Sequence, residues 1–220
     1  MQAQKKSIPP VTSAPEAIDV GIVRAAPLQT APYQHIVISN FIRDAWKERI
    51  YNDYPVIKEG GSLPLGTTKY GPNFQRLIDE MNGDEFRKAV EEKFDVKLAG
   101  KPTMFTVRGN CRLKDGKVHT DSESKIITVL LYMNQPWQPG GGRLRLLKSN
   151  NLEDVATEIS PDIGTLLIFK RSTSSWHGHL PFEGERKVIQ MNWVTEQKYV
   201  EREQKRHLWS FIVKKLGFYS

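Results

Sequence analysis

KIITVLLYMNQPWQPGGGRLRLLK, residues 125–148, decides the fold class. It holds two short apolar runs, KIITVLLYMN and GRLRLLK, split by Asn134, two prolines and three glycines. Short apolar or β-branched runs bounded by turn residues read as strands. Working outward, TMFTVRG (103–109), GTLLIFK (164–170) and RKVIQMNWV (186–194) repeat the pattern. Strands at such close spacing predict an antiparallel sandwich or barrel. The connecting stretches EGGSLPLGTTKYGPN (59–73) and LKSNNLEDVATE (147–158) read as loops.

Upstream the period changes. HIVISNFI (35–42) reads as a strand and turn, with Ser39 or Asn40 available as a helix cap. RDAWKERIYNDY (43–54) follows as a helix, with Phe41, Ala45, Trp46, Ile50 and Tyr54 on its apolar side. FQRLIDEM (74–81) and GDEFRKAVEEKF (83–94) are two more helices, the second with acidic residues in its first turn. At the other end, 198–218 is amphipathic, with Val200, Leu208, Phe211, Ile212 and Leu216 along one stripe. The expected organisation is an extended or disordered arm over 1–33, rich in proline, then a domain over 34–197 and a C-terminal helix over 198–220. The fold class is α+β, with the N-terminal helices packed on one face of the strand core.

Composition narrows the function classes. The chain has 220 residues, enough for one domain with its own core, and a formal charge of +7. A single cysteine, Cys111, excludes an internal disulfide and a cysteine-rich zinc site, and favours a reducing compartment. No run approaches the roughly 18 apolar residues of a membrane span, and the start lacks the apolar block of a secretory signal. The expectation is a cytoplasmic protein acting on small molecules. Its basic balance suits anionic metabolites as well as phosphate-rich partners. Composition is silent on oligomeric state.

The chemistry lies in two segments. In VHTD, His119 and Asp121 are two residues apart, and on a strand both side chains would face one point. H-x-D alone is a weak signal. In SWHGHLPFEGERKVIQMNW, His177 and His179 precede a turn at 181–184, and Arg186 begins the next strand. Folded as a hairpin, histidine and arginine fall side by side. Two histidines and a carboxylate leave three positions open on an octahedral metal, the arrangement of non-haem iron(II) oxygenases. An arginine nearby grips a carboxylate bidentately.

With those motifs in place, residues from about 103 to 194 resemble the double-stranded β-helix (jelly-roll) core of the iron(II)/2-oxoglutarate oxygenases, most closely the prolyl-hydroxylase-like branch. The shared pattern runs HTD at 119–121, YMNQPW at 132–137, GGGRLRLL at 140–147, GTLLIF at 164–169, His177, and Arg186 nine residues on. The resemblance implies iron(II) on His119, Asp121 and His177, with His179 the rival for the third place. It implies 2-oxoglutarate held by Arg186, with Tyr132 on the same carboxylate. Alternation puts Ile126, Thr128, Leu130 and Tyr132 on one strand face, and Arg186, Val188, Gln190 and Asn192 on one face of another. Gln190 is therefore a further candidate for the co-substrate, and Asn192 and His179 for the substrate. Iron(II), 2-oxoglutarate and O2 are the implied cofactors, with ascorbate as reductant in an assay. The implied reaction is hydroxylation of an unactivated C–H bond with release of succinate and CO2. A carboxylate at 121 is at odds with halogenation, for which family members carry a small residue there.

The departures bear on the substrate. The strand before HTD lacks the tyrosine common in peptidyl-prolyl hydroxylases and offers Arg108, Asn110 and Arg112 instead. A small metabolite, a sugar or glycan, or a lipid-linked substrate fits better than a peptidyl proline. Two other readings compete. One is a non-catalytic jelly roll binding a metal or ligand. The other is a nucleic-acid demethylase of the AlkB type, against which RKVIQMNWVTEQK lacks that group's second arginine. The basic, aromatic C-terminal helix (Arg206, Trp209, Phe211, Lys214, Lys215, Phe218) raises a peripheral membrane contact, less favoured than packing on the domain.

Overall fold

The computed structural model describes residues 16–202 and residue 205. The chain runs α1 (Val20–Ala25), β1 (His35–Ile38), α2 (Asp44–Asn52), β2 (Leu63–Pro64), a 3-10 turn (Leu65–Thr67), α3 (Pro72–Met81) and α4 (Asp84–Phe94). It continues with β3 (Thr103–Cys111), β4 (Lys125–Tyr132), β5 (Leu144–Leu147), β6 (Val155–Ile159), β7 (Leu166–Lys170), β8 (His177–His179) and β9 (Gly184–Val194). A six-stranded sheet has the order β1-β7-β4-β9-β3-β2, and a three-stranded sheet the order β6-β5-β8. Every pairing within them is antiparallel.

The large sheet is covered on both faces, by different things. Ile127, Val129, Leu131, Ile168, Ile189, Met191 and Trp193 pack into one core with the helices, against Ile50, Phe74, Leu77, Phe86, Val90 and Phe94. Full burial of such side chains stabilises by about 1.5–3 kcal/mol each. The opposite face gives Leu130, Tyr132, Leu167, Phe169 and Val188, which meet Leu144, Leu146 and Ile159 of the small sheet. A period of two along β4 and β9 thus divides a helix-side core from an interior between the sheets.

Several expectations change in detail. Residues 16–33 are not a loose arm. Ala17, Ile18 and Val23 are buried, and the Ala17 and Ile18 amides donate to the Glu80 carboxylate at 2.8–3.0 Å. Lys93 Nζ closes the end of α1 by donating to the carbonyls of Arg24 and Ala26. The apolar residues at 17, 18 and 23 have a core to join, and the prolines only shape the path; residues 1–15 lie outside the described residues. Helix α2 starts at Asp44, with Arg43 at its cap position, so Ser39 and Asn40 are too early to cap it. Asn40 instead takes a positive φ of 59° and accepts from Lys47. Ala45 faces solvent. VATEI, read as part of a loop, is the edge strand β6, and its exposed alternate residues hide the apolar signal.

The turn after Trp176 is not a hairpin. β8 pairs with β5 in the small sheet, whereas β9 pairs with β3 and β4 in the large one. Residues 180–183 therefore cross between sheets, and His177 and Arg186 line one cavity from different sheets. Beyond β9, residues 197–202 are helical and Val200 is buried. The rest of the expected C-terminal helix, including its basic and aromatic residues, lies outside the described residues. No helix among the described residues is long and apolar enough to cross a membrane.

Candidate metal and co-substrate site

His119, Asp121 and His177 come together at one end of the interior. Each offers a ligand atom, and these atoms all lie within 4.8 Å of one another. Asp121 is not on a strand; His119 reaches the site through an isolated bridge to His177, with paired amides at 3.0 Å. The two imidazoles are oriented alike. His119 Nδ1 donates to the Lys117 carbonyl at 2.9 Å, and His177 Nδ1 to the Ser175 carbonyl at 3.0 Å. A carbonyl only accepts, so Nδ1 carries the proton and Nε2 keeps the lone pair that a metal needs. Burial, with His119 and Lys125 adding to it, pushes His177 down to about 4 despite the opposing charge of Asp121, so its imidazole is neutral at pH 7.

Asp121 is buried, which raises a carboxyl; Lys125 and His177, with a hydrogen bond from Thr128, outweigh that and hold it below the ordinary range. A chain of side chains stands behind it. Thr128 Oγ1 donates to Asp121 Oδ2, Asn192 Nδ2 donates to Thr128 Oγ1 at 2.8 Å, and Gln190 Nε2 donates to Asn192 Oδ1 at 2.9 Å. Asn192 is fully buried and satisfied within the protein, so it supports the cluster from behind rather than facing a substrate. Gln190 lines the cavity beside the metal cluster.

At the other end of the same cavity stand Arg186 and Tyr132. Arg186 is 4% exposed, and its Nε donates to the Gly142 carbonyl at 2.7 Å. Its Nη2 and the Tyr132 hydroxyl are both buried without a hydrogen-bond partner. Burial raises the Tyr132 hydroxyl, which is therefore neutral and able to donate, while the Arg186 charge works against that shift. Native interiors rarely leave such donors unmatched. Two orphan donors converging beside a fixed positive charge are what a carboxylate would satisfy. The cavity that these two residues line together with His119, Asp121 and His177 measures about 170 Å³.

His179 lies in this cavity but outside the cluster; His177 is the histidine within reach of His119 and Asp121. His179 Nδ1 donates to the Leu180 carbonyl, and its ring fills the space where a Cβ on Gly116 would stand. Burial, then the charge of Arg186, pushes it down to about 4. Arg108 lines the cavity and pairs with Asp115 at 3.1 Å. Arg112 pairs with Asp115 from the outside, and the Asn110 amide holds the Ile57 carbonyl, so these two brace loop 55–62 rather than face the cavity. Sequence reasoning missed Lys125, Thr128 and Ser62, all of which line the cavity.

Residues 110–195 match the family model described as the 2OG-Fe(II) oxygenase superfamily. No curated protein matches the sequence. Among solved structures, a Pseudomonas putida prolyl-4-hydroxylase is 17% identical with a TM-score of 0.55, covering 80% of this chain and 99% of that one. A prolyl 4-hydroxylase from Phytophthora capsici is also 17% identical at 0.55, covering 88% of this chain and 71% of that one. At these identities the likeness carries the fold.

Proposed function

We propose that this chain, of which residues 110–195 match the 2OG-Fe(II) oxygenase superfamily model, is an enzyme that uses iron(II), 2-oxoglutarate and O2 to hydroxylate an unactivated C–H bond of a small polar substrate. The observation that carries this reading is the pairing, in one cavity, of a His-Asp-His cluster with two orphan donors at the far end. His119, Asp121 and His177 would hold the metal. Arg186 and Tyr132 would hold the distal carboxylate of the co-substrate. Iron(II) would supply the oxidising chemistry with 2-oxoglutarate and O2, one oxygen atom leaving in succinate as CO2 is released and the other entering the product.

The protein's own residues do the rest. The Nδ1 bonds of His119 and His177 fix both rings. Thr128, held by Asn192, fixes one carboxylate oxygen of Asp121. Leu130, Leu144 and Val188 line the same cavity and give it an apolar wall. That setting strengthens the Arg186–carboxylate attraction relative to water. Polar groups at the metal end, including Gln190, Thr106 and Ser62, favour a hydrogen-bonding substrate over a prolyl ring. The test is calorimetric titration of 2-oxoglutarate into protein loaded with zinc, a redox-silent stand-in. Metal-dependent binding supports the reading; no heat with or without metal contradicts it.

A further inference from the structure

Lys125 enters the site against the alternation of its own strand. Along β4, Thr128 stands opposite Asn192, Leu130 opposite Gln190 and Tyr132 opposite Val188, all on the interior side. Ile127, Val129 and Leu131 belong to the helix-side core. Counting back by twos would place Lys125 with them, under the helices. The register slips instead: Ile127 pairs with Trp193, but Lys125 pairs with Val194. Ile126 is the extra residue of a β-bulge and packs against the helix-side core. A bulge reverses which way the following side chain points. Lys125 is turned inward, its Nζ 2.6 Å from Asp121 Oδ1 and its side chain 14% exposed.

A nearly buried cation beside a metal cluster needs an account, since burying charge is costly without a partner. Asp121 provides one only while it is not shared. With a divalent ion on the triad, its single negative charge serves both the metal and the ammonium, and the two cations repel each other. The other two cations of the inner cavity are accounted for differently. Arg108 has Asp115 at 3.1 Å, and Arg186 stands at the co-substrate end. Lys125 also lines an adjoining outer cleft of about 310 Å³, which shares His119, Asp121, Thr106, Ser62 and Gln190 with the inner cavity. Among the described residues of that cleft Asp121 is the one carboxylate.

We propose that the substrate carries an anionic oxygen group, carboxylate or phosphate, held in this outer cleft by Lys125. Held there, the substrate presents a C–H bond close to that group to the metal. This assignment rests on the oxygenase reading of the site. It narrows the substrate to small anionic molecules.

The experiment uses the full chain loaded with manganese(II) and saturated with 2-oxoglutarate. Inorganic phosphate and carbon-13-labelled acetate are titrated in separate arms, and their phosphorus and carbon relaxation is followed. Manganese relaxes only nuclei held near it, so a saturable enhancement reports binding beside the triad, and the stronger arm identifies the anion. The expected result is enhancement in the wild type and at least tenfold weaker anion binding in Lys125→Gln. Recovery is expected in Lys125→Arg. Manganese and 2-oxoglutarate affinities are measured in the same samples. Intact affinities with no saturable relaxation from either anion overturn the proposal and leave the oxygenase reading standing. So does a Lys125→Gln protein that loses 2-oxoglutarate affinity but keeps the anion. A wild type that binds neither manganese nor 2-oxoglutarate overturns the oxygenase reading, and this assignment with it.

Discussion

Arg186 donates from Nε to the carbonyl oxygen of Gly142 at 2.7 Å, and this bond holds the guanidinium with its Cζ 5.3 Å from the centre of the Tyr132 ring and Nη2 buried and unmatched. A site poised in this way makes the arginine worth more than the tyrosine. Truncating one partner of a buried charge pair costs about 2–5 kcal/mol. A neutral hydrogen bond contributes about 0.5–1.5 kcal/mol. Arg186→Met is therefore expected to weaken 2-oxoglutarate binding to the zinc-loaded protein by at least thirtyfold or so. Tyr132→Phe should weaken it by roughly tenfold or less. Calorimetry checks both, and equal effects would deny the arginine its role.

Gly142 takes a φ of +79°, and a Cβ there would lie 2.8 Å from the Trp137 ring and 3.1 Å from the Phe182 ring. Gly142→Ala must move the carbonyl that aims Arg186 or open the two rings. Left-handed strain costs on the order of 1–3 kcal/mol. The expected outcome is a lower urea midpoint together with weaker 2-oxoglutarate affinity. A destabilised variant with unchanged affinity would mean that Gly142 does not set the arginine.

Thr128 bonds Asp121 and is itself bonded by Asn192, and neither belongs to the His-Asp-His cluster. Loss of such outer partners typically costs about 10–100-fold in metal affinity. Thr128→Val keeps the shape and removes the donor. It is expected to weaken zinc or manganese binding by about tenfold while leaving the fold intact, as read by metal titration and circular dichroism.

His177 and His179 both sit at about 4 in the folded chain, against 6.5 for a free imidazole, because burial disfavours the charged ring. The folded values are depressed, so the unfolded chain binds more protons between those limits. Stability is full above 6.5 and falls as pH drops toward 4, by up to about 1.4 kcal/mol per unit per histidine. Asp121, also depressed, loses its contribution only at still lower pH. The urea midpoint of the metal-free protein should fall from pH 7 to pH 5, less steeply in His179→Asn. A flat profile would contradict the assignment.

Much of this was legible in the sequence. Alternation in β4 and β9 predicted that Tyr132, Arg186 and Gln190 share an interior, and the motif order brought His119, Asp121 and His177 to one place. The sheet membership of β8 was not legible. HGHLPFEGER reads as a hairpin, and only pairing with Leu144 and Leu146 draws His177 and His179 into the other sheet. Lys125 was hidden for a different reason. Strict alternation assigns it, like Ile127, to the helix side, and nothing local in KIIT announces that one residue will bulge. Asn192 was placed on the right face, yet its partners are distant in sequence, so its supporting role emerged only with the fold.

The most direct test of the central claim is succinate formation from 2-oxoglutarate with iron(II) and ascorbate, without added substrate, comparing wild type with His119→Ala. The account predicts slow turnover in the wild type and none in the variant, whose cluster keeps only Asp121 and His177. Equal succinate from both proteins, or none from either, would contradict it.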